Sequence, residues 1–198
     1  MTIDEHIKQA VSALRKGGIV IYPTDTAFGI GCRIDDRAAV DTLFTIRKRP
    51  LTQATPVLVD SIEQSLSYLD SPSDIVRRLM DTYWPGALTI IGKCKKNLIH
   101  SPIRGGGETV GFRMPDHETA LAIVRGVGVP ILGPSANFHG SPTPYTFESL
   151  DPELVKLVDY VVPGTGKAGN VSTVVDTTTS PVTIVRQGAV MLHPEELV

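Results

Sequence analysis

The chain has 198 residues, of which 41% are hydrophobic and 20% are charged, and its formal net charge is −2. This length and apolar content can supply a single domain with a hydrophobic core that needs no disulfide or metal cross-links. The near-neutral charge argues against a protein whose whole surface binds polyanions, because such domains carry a clear basic excess. It is compatible with a small basic pocket for a small anion.

The N-terminal segment, the lengths of the apolar runs and the two cysteines indicate the cellular compartment. The N-terminal segment is acidic and amphipathic, so it lacks the basic region and the continuous apolar stretch of a secretory signal. No run approaches the about 18 apolar residues of a membrane-spanning helix. Cys32 and Cys94 form no C-x-x-C pair, which favours two buried thiols in a reducing compartment. We therefore expect a soluble cytoplasmic protein with no membrane contact.

The first third of the chain predicts helix, strand and helix. Apolar residues at helical spacing indicate a helix over residues 3–16, with a capping box formed by Thr2 and Glu5 and a stop at the following glycine pair. Residues 19–22 form an apolar β-branched run typical of a buried strand. A second helix is expected to begin after Asp35 or Asp36 and to end in the basic run at residues 47–49.

The remaining segments follow the same rules. Helices are expected at about residues 72–83, 117–124 (capped by Asp116) and 152–158. Strands are expected at residues 57–59, 88–91, 109–112, 129–132, 159–162, 173–176 and 182–186. Helices alternate with strands over two thirds of the chain, and strands then cluster. This order predicts a single α/β domain over residues 1–198, with a twisted mixed parallel and antiparallel sheet flanked by helices.

Basic and hydroxyl-bearing residues follow several of these elements. On its own, the run Arg47-Lys48-Arg49 is typical of a solvated helix end, where cations complement the helix dipole. Four short polar residues beside glycine or proline turns favour a ligand-binding role for this run instead, because ligands of open α/β sheets bind at strand ends. These four are Thr24, Thr26, Ser135 and Asn137.

Arg113 ends a predicted strand and therefore needs a partner, because a buried charge left alone is costly. Two interpretations are equally compatible with the sequence. The guanidinium forms a structural salt bridge, or it grips a ligand carboxylate through two parallel hydrogen bonds.

The sequence provides less support for three other kinds of site: a metal site, a phosphate loop and a nucleophilic active site. The five histidines show no metal-ligand spacing, so no protein-held metal site is expected. The segment Gly164-Thr165-Gly166-Lys167-Ala168 is similar to a phosphate loop but has alanine where the hydroxyl belongs, and no helix evidently follows it. The sequence also lacks a nucleophile elbow and an activated cysteine.

The ordered set of motifs resembles the YrdC-like (TsaC) family of threonylcarbamoyl-adenylate synthases. The matching segments span residues 16–188 in the family's order and are together highly specific: KGGIVIYPTDT (16–26), GIG (29–31), RKRP (47–50), PGALT (85–89), VGFRMPD (110–116), PSAN (134–137), STVVD (172–176) and RQG (186–188). The resemblance implies a single domain with a large basic cavity. The length implies the short form of the family, without the further C-terminal domain of the long form.

The resemblance also implies an activity. Such an enzyme condenses L-threonine, bicarbonate or CO2 and ATP into threonylcarbamoyl-AMP and pyrophosphate, for the N6-threonylcarbamoyladenosine at position 37 of certain tRNAs. Mg2+ would enter with ATP and need few protein ligands. Downstream threonylcarbamoyl-transferase proteins would receive the product. Direct tRNA binding is expected to be weak or absent.

Motif matching assigns residues to two ligands but leaves the general base unassigned. Threonine is expected to bind Thr26, Arg113 and Ser172, with Arg113 on its carboxylate. ATP is expected to contact Arg49, Gln53, Thr109, Ser135, Thr143 and Arg186, with Thr24, Arg47 and Asn137 in support. Arg47 stands where the family usually has lysine. Gln53 stands where lysine or asparagine is common, although its amide can still donate.

Two alternatives stay open at this point. A non-catalytic paralogue would use the same fold to bind RNA or a nucleotide, but paralogues tend to lose the basic K-x-R-P stretch or the serine–asparagine loop, and both are present here. Carbamoyl-adenylate chemistry for hydrogenase maturation normally sits in a much longer chain with zinc-finger and acylphosphatase-like modules.

Overall fold

A computed structural model describes residues 1–166 and 169–197. Within these residues there are six α-helices, nine β-strands and three short 3-10 helices (Ser101–Arg104, Phe147–Ser149 and Pro194–Leu197). The α-helices are α1 (Ile3–Arg15), α2 (Arg37–Ile46), α3 (Ile62–Tyr68), α4 (Asp74–Tyr83), α5 (Glu118–Val127) and α6 (Pro152–Val155). The strands are β1 (Val20–Tyr22), β2 (Gly29–Gly31), β3 (Val57–Leu58), β4 (Leu88–Lys93), β5 (Thr109–Arg113), β6 (Ile131–Leu132), β7 (Tyr160–Val161), β8 (Thr173–Asp176) and β9 (Thr183–Arg186).

Local capping signals place the first two helices where the sequence predicts them. Thr2 and Glu5 form the expected capping box of α1, and Gly17 follows this helix with a positive φ of 83°. Asp36, rather than Asp35, caps α2 by accepting a hydrogen bond from the backbone of Ala39. These polar side chains satisfy backbone donors that would otherwise lack a partner at the first turn.

One helix was not predicted, and the starts of two others were predicted wrongly. The unpredicted helix is α3, which has seven residues. Helix α4 begins at Asp74 with Ser73 as its N-cap, two residues later than Ser71-Pro72 suggests. Helix α5 begins after His117, which makes no side-chain capping bond, and not after Asp116.

The strands form two mixed sheets instead of one. The three-stranded sheet has the order β2-β1-β7, with β1 antiparallel to β2 and parallel to β7. The six-stranded sheet has the order β6-β3-β5-β4-β8-β9 and combines two parallel with three antiparallel pairings. Isolated bridges, including one between Gly29 and Ser135, link the two sheets. Mixed pairing with flanking helices agrees with the predicted fold class.

Apolar residues fill two buried clusters. The larger includes residues of β2, α2, α4, β4 and β5, and contains Phe28 and Phe112, both fully buried. The smaller packs α1 against α5 and against β1, through residues such as Leu14 and Ile123. Burying such side chains supplies most of the driving force for folding. The two free cysteines are also buried.

Gly31 illustrates how tightly β2 fits against the neighbouring sheet. A Cβ atom at Gly31 would collide with the backbone carbonyl of Leu132 in β6. We expect Gly31→Ala to lower the free energy of unfolding by about 1–3 kcal/mol, because backbone must shift to make room. Urea denaturation measures this change. The control Gly107→Ala, whose new Cβ would meet only the Arg104 carbonyl at 3.3 Å, is expected to change it by far less, and equal losses would contradict this prediction.

No helix within residues 1–166 and 169–197 has both the length and the apolar character needed to cross a membrane.

Candidate functional site

A cavity of about 170 Å3 forms where the turn after β1, the end of α2 and the ends of β5, β6, β8 and β9 meet. Eight of the residues predicted for ligand binding or support line this one cavity: Thr24, Thr26, Arg47, Arg49, Arg113, Ser135, Ser172 and Arg186. These residues are up to 162 positions apart in the sequence, so the fold brings them together. The remaining wall is largely apolar or glycine, and includes Phe28, Leu58 and Gly133.

Arg113 forms the structural salt bridge that was one of the two interpretations, and it also lies in the cavity wall. Its guanidinium pairs with Asp25, and both side chains are buried. Nε donates to the carbonyl oxygen of Gly86 at 3.0 Å, and Nη1 donates to Thr26 Oγ1 at 2.8 Å. The described residues thus engage three of the five N–H donors that arginine carries. Two donors remain, which is the number that a bidentate carboxylate needs.

Thr24 and Thr26 belong to a tight turn directly after β1. Thr24 Oγ1 donates to the carbonyl oxygen of Ala27 at 2.6 Å and accepts from the backbone N–H of Thr26 at 3.1 Å. Threonine favours such local bonds to nearby backbone, which hold turns in one conformation. The turn therefore presents Thr26 to the guanidinium of Arg113.

Arg47 and Ser135 both donate hydrogen bonds to Asn137. Arg47 Nε donates to the backbone oxygen of Asn137 at 3.0 Å, while Ser135 Oγ donates to Asn137 Oδ1 at 2.5 Å. The Asn137 amide nitrogen donates to the carbonyls of Phe138 and Ser141, at 2.9 Å and 2.7 Å. Asn137 itself does not line the cavity. It accepts from Ser135, which does line the cavity, and its role in supporting ligand binding stays a prediction.

Arg47 contradicts the interpretation of the basic run as a solvated helix end. Its exposed fraction is only 3%, and its Nη1 is buried without a hydrogen-bond partner among the described residues. Burial lowers the pKa of Arg47 to about 10, with a smaller contribution from the charge of Arg49. The guanidinium is therefore still a cation at neutral pH, with an unused donor in a dry environment that favours an anion.

Arg49 and Lys48 are neighbours in the sequence but lie in different environments. Arg49 donates through Nε to the Gln53 carbonyl at 3.1 Å and through Nη2 to the Ala54 carbonyl at 2.5 Å, which fixes its guanidinium at the cavity wall. Burial lowers the pKa of Arg49. Lys48 is exposed and lies over the ring of Phe138, 4.9 Å from its centroid.

Ser172 and Arg186 form another part of the cavity wall and bond to each other. Arg186 donates to the Ser172 backbone oxygen through Nε and Nη2, at 3.0 Å and 2.9 Å, and through Nη2 to Ser172 Oγ at 3.0 Å. Burial lowers the pKa of Arg186, and the positive charge of Arg113 lowers it further. Two cations therefore lie close together here, and an anion between them would relieve their repulsion.

Three predicted ATP contacts lie outside the cavity. Gln53 is exposed and contributes its backbone carbonyl to Arg49. Thr109 lies at the opposite end of β5 from Arg113, paired with Lys93. Thr143 lies in the loop before Pro144.

The cavity is basic, but its volume of about 170 Å3 is below the about 300–1,000 Å3 of most ligand pockets. It is therefore smaller than the large cavity that the resemblance implies.

Three contacts made by residues of the cavity wall were not predicted from the sequence. Asp25 pairs with Arg113, Gly86 accepts from it, and Thr89 Oγ1 lies 2.9 Å from Ser172 Oγ. Asp25 carried a usable signal, since it lies in the turn after the buried strand β1 and a buried arginine needs a carboxylate partner. The Gly86 carbonyl and the Thr89 hydroxyl depend on tertiary contacts that no local pattern encodes.

The polar side chains at the cavity are hydrogen-bond donors suited to anions. Residues 1–166 and 169–197 contain no group of three or more His, Cys, Asp or Glu side chains that could hold a metal. The cavity wall consists of arginines and hydroxyls, which suit phosphate or carboxylate oxygens. Lys167 and Ala168 of the candidate phosphate loop lie outside the described residues.

Comparisons with known proteins place this geometry in a family. The Sua5/YciO/YrdC family model, described as telomere recombination, matches residues 12–188. Threonylcarbamoyl-AMP synthase of Bacillus subtilis (strain 168) is 35% identical over 179 residues, which cover 88% of this chain and 52% of that protein. Uncharacterized protein YciO of Escherichia coli (strain K12) is 31% identical over 193 residues, covering 95% and 91% respectively.

A solved structure agrees with these matches. The crystal structure of Sua5 from P. abyssi complexed with L-threonine superposes with a TM-score of 0.88 at 31% identity, over 92% of this chain and 54% of that one. The chain thus spans about half the length of the B. subtilis and P. abyssi relatives. Because the family model covers most of the sequence, the chain belongs to the Sua5/YciO/YrdC family.

Proposed function

We propose that this chain is a threonylcarbamoyl-AMP synthase that uses L-threonine, bicarbonate or CO2 and MgATP as substrates. The observation that carries the proposal is one cavity that gathers four arginines and four hydroxyls around space for oxygen anions. Support comes from the B. subtilis relative named threonylcarbamoyl-AMP synthase and from the P. abyssi Sua5 complex with L-threonine. The product would serve N6-threonylcarbamoyladenosine formation in tRNA, in the cytoplasm, through downstream threonylcarbamoyl-transferase proteins.

Two groups of arginines in the cavity wall suit two ligands. Among the described residues, two N–H donors of Arg113 have no partner, enough to grip the carboxylate of threonine beside Ser172 and Arg186. Arg47, Arg49 and Ser135 also line the cavity and form its proposed nucleotide end, because arginines suit the phosphates of ATP. Since the cavity holds only about 170 Å3, the phosphates would lie inside it and the adenosine would extend outwards.

The reaction needs positioning and charge stabilisation more than a nucleophilic side chain. The amine of threonine captures CO2 and loses a proton, which gives a carbamate. A carbamate oxygen then attacks the α-phosphorus of ATP, its bond to phosphorus forms, and the bond to the β-phosphate bridging oxygen breaks. Pyrophosphate leaves with the Mg2+ that entered with ATP. Fixed arginines near the phosphates can offset the charge that develops in this step, and a shared cavity brings three reactants together.

A direct assay tests the proposal. The protein is incubated with MgATP, bicarbonate and each amino acid in turn, and pyrophosphate release is measured together with the mass of the adenylate formed. We expect release that depends on both threonine and bicarbonate. Nucleotide binding with no pyrophosphate release under any condition would instead identify a non-catalytic paralogue.

Arg49→Ala tests the nucleotide end of the cavity. Loss of a charge-assisted contact of about 1.5–3 kcal/mol is expected to weaken MgATP about 10- to 150-fold while threonine affinity, measured alone by calorimetry, is largely kept. Lys48→Ala is the matched control, because it removes the same charge from the next residue but from outside the cavity. A larger loss of threonine than of nucleotide affinity in Arg49→Ala would show that the two ends are exchanged.

A further inference from the structure

The cavity hydroxyls differ in what they can offer a ligand, because each hydroxyl has only one proton to donate. Thr24 uses its proton on the carbonyl oxygen of Ala27. Thr26 Oγ1 lies 3.1 Å from Thr24 Oγ1, and since the proton of Thr24 is already engaged, Thr26 is the donor of this pair. Ser135 uses its proton on Asn137 Oδ1. These three hydroxyls can therefore accept from a ligand, but they donate within the protein.

The fourth hydroxyl, that of Ser172, depends on Thr89. Ser172 Oγ accepts from Arg186, because a guanidinium can only donate. It also lies 2.9 Å from Thr89 Oγ1, and either oxygen could be the donor. Thr89 is only 4% exposed, and residues 1–166 and 169–197 offer its hydroxyl no other partner. If Ser172 were the donor, the proton of Thr89 would be buried without an acceptor, which is costly. The donor is therefore Thr89.

We propose that Thr89 is a positioning residue that donates to Ser172 and thereby leaves the Ser172 proton free to point into the cavity. Ser172 then becomes the one hydroxyl, among the described residues lining the cavity, that can donate to an anionic ligand. Arg186 donates to Ser172 Oγ and lies close enough to Arg113 to feel its charge, so the free Ser172 proton would join two cations as a donor to an oxygen anion. The identity of that anion as the threonine carboxylate rests on the proposed function, whereas the direction of the Thr89–Ser172 hydrogen bond does not.

Substitutions at Thr89 test the functional consequence. Thr89→Val keeps the shape of the side chain but removes the donor, and we expect it to weaken threonine binding about 5- to 20-fold by calorimetry. KM for threonine should rise to a similar extent, with kcat and KM for MgATP within about threefold. Thr89→Ser restores the hydroxyl and is expected to restore threonine affinity to within about twofold of the wild-type value.

The control is Thr119→Val, which replaces another buried threonine away from the cavity and is expected to leave both affinities unchanged. If Thr89→Ser binds threonine as weakly as Thr89→Val, the role of Thr89 is one of packing and the proposal is overturned.

Neutron crystallography of the deuterated protein tests the hydrogen-bond direction independently of any activity. The expected map places the Thr89 deuteron between the two oxygens and the Ser172 deuteron towards the cavity. A Ser172 deuteron directed at Thr89 would overturn the proposal. If wild-type protein binds no threonine, the proposed function fails, but this map still decides the role of Thr89.

Discussion

Arg113→Ala is expected to weaken threonine binding about 10- to 150-fold and to lower the free energy of unfolding by about 3–5 kcal/mol. The first effect follows from the loss of a charge-assisted contact with a carboxylate. The second follows because the Asp25 side chain, which is only 5% exposed, would be left as a buried charge without its partner. Calorimetry with threonine and urea denaturation measure the two effects.

A second variant separates binding from folding. Asp25→Asn combined with Arg113→Gln removes both charges, so it should recover much of the lost stability while threonine affinity stays low. Arg33→Ala is the control for loss of an ion pair, because the Arg33–Asp35 pair is partly exposed and is expected to contribute no more than about 1 kcal/mol. A folded Arg113 variant that binds threonine normally would remove Arg113 from the carboxylate site.

Asn137→Ala is expected to lower the free energy of unfolding by about 2–4 kcal/mol and to weaken MgATP at least about tenfold. Its side chain accepts from Ser135 and donates to two backbone carbonyls, so several buried polar groups lose a partner at once. Arg47 would still donate to the backbone oxygen of residue 137, but the loop that carries Ser135 would lose the side-chain bonds that fix it. Threonine affinity should stay within about twofold, since Arg113 ends β5 and Ser172 directly precedes β8, both away from the Asn137 loop.

Asn97→Ala provides the matched control, because Asn97 is exposed and does not line the cavity. Thermal unfolding and calorimetry compare the two variants. A stable Asn137 variant, or one that loses threonine but keeps the nucleotide, would contradict the role of Asn137 as a support for the nucleotide end.

Elements with strong local signals could be predicted from the sequence. Helix α1 has its capping box, its apolar spacing and a glycine stop, and its observed bounds differ by one residue from the prediction. Helix α3 was missed because seven residues carry too few turns for periodicity to show. Its start did carry a signal, since Ser61 caps the backbone of Gln64 while Gln64 reaches back to Asp60.

The arrangement of the strands into sheets could not be predicted from the sequence. Strand β1 pairs with β7, about 140 residues later, and nothing in the local sequence specifies that partner. The division into two sheets therefore had to come from the structure. The register of β3 on β5 likewise follows from packing of both strands in the core.

The site shows the same difference between local and tertiary information. Motif resemblance found the residues on both sides of the cavity, because those residues are part of contiguous segments such as residues 134–137. It did not reveal that Arg47 is buried or that Asp25 forms an ion pair with Arg113. Those facts depend on which side chains the fold places next to one another.

A crystal structure of the protein with L-threonine and a non-hydrolysable ATP analogue tests whether one cavity holds both ligands. We expect the threonine carboxylate on Arg113 and Ser172, and the phosphates on Arg47 and Arg49, with the amine facing the α-phosphate. A structure in which one ligand occupies this cavity and the other is bound elsewhere would contradict the proposed synthase.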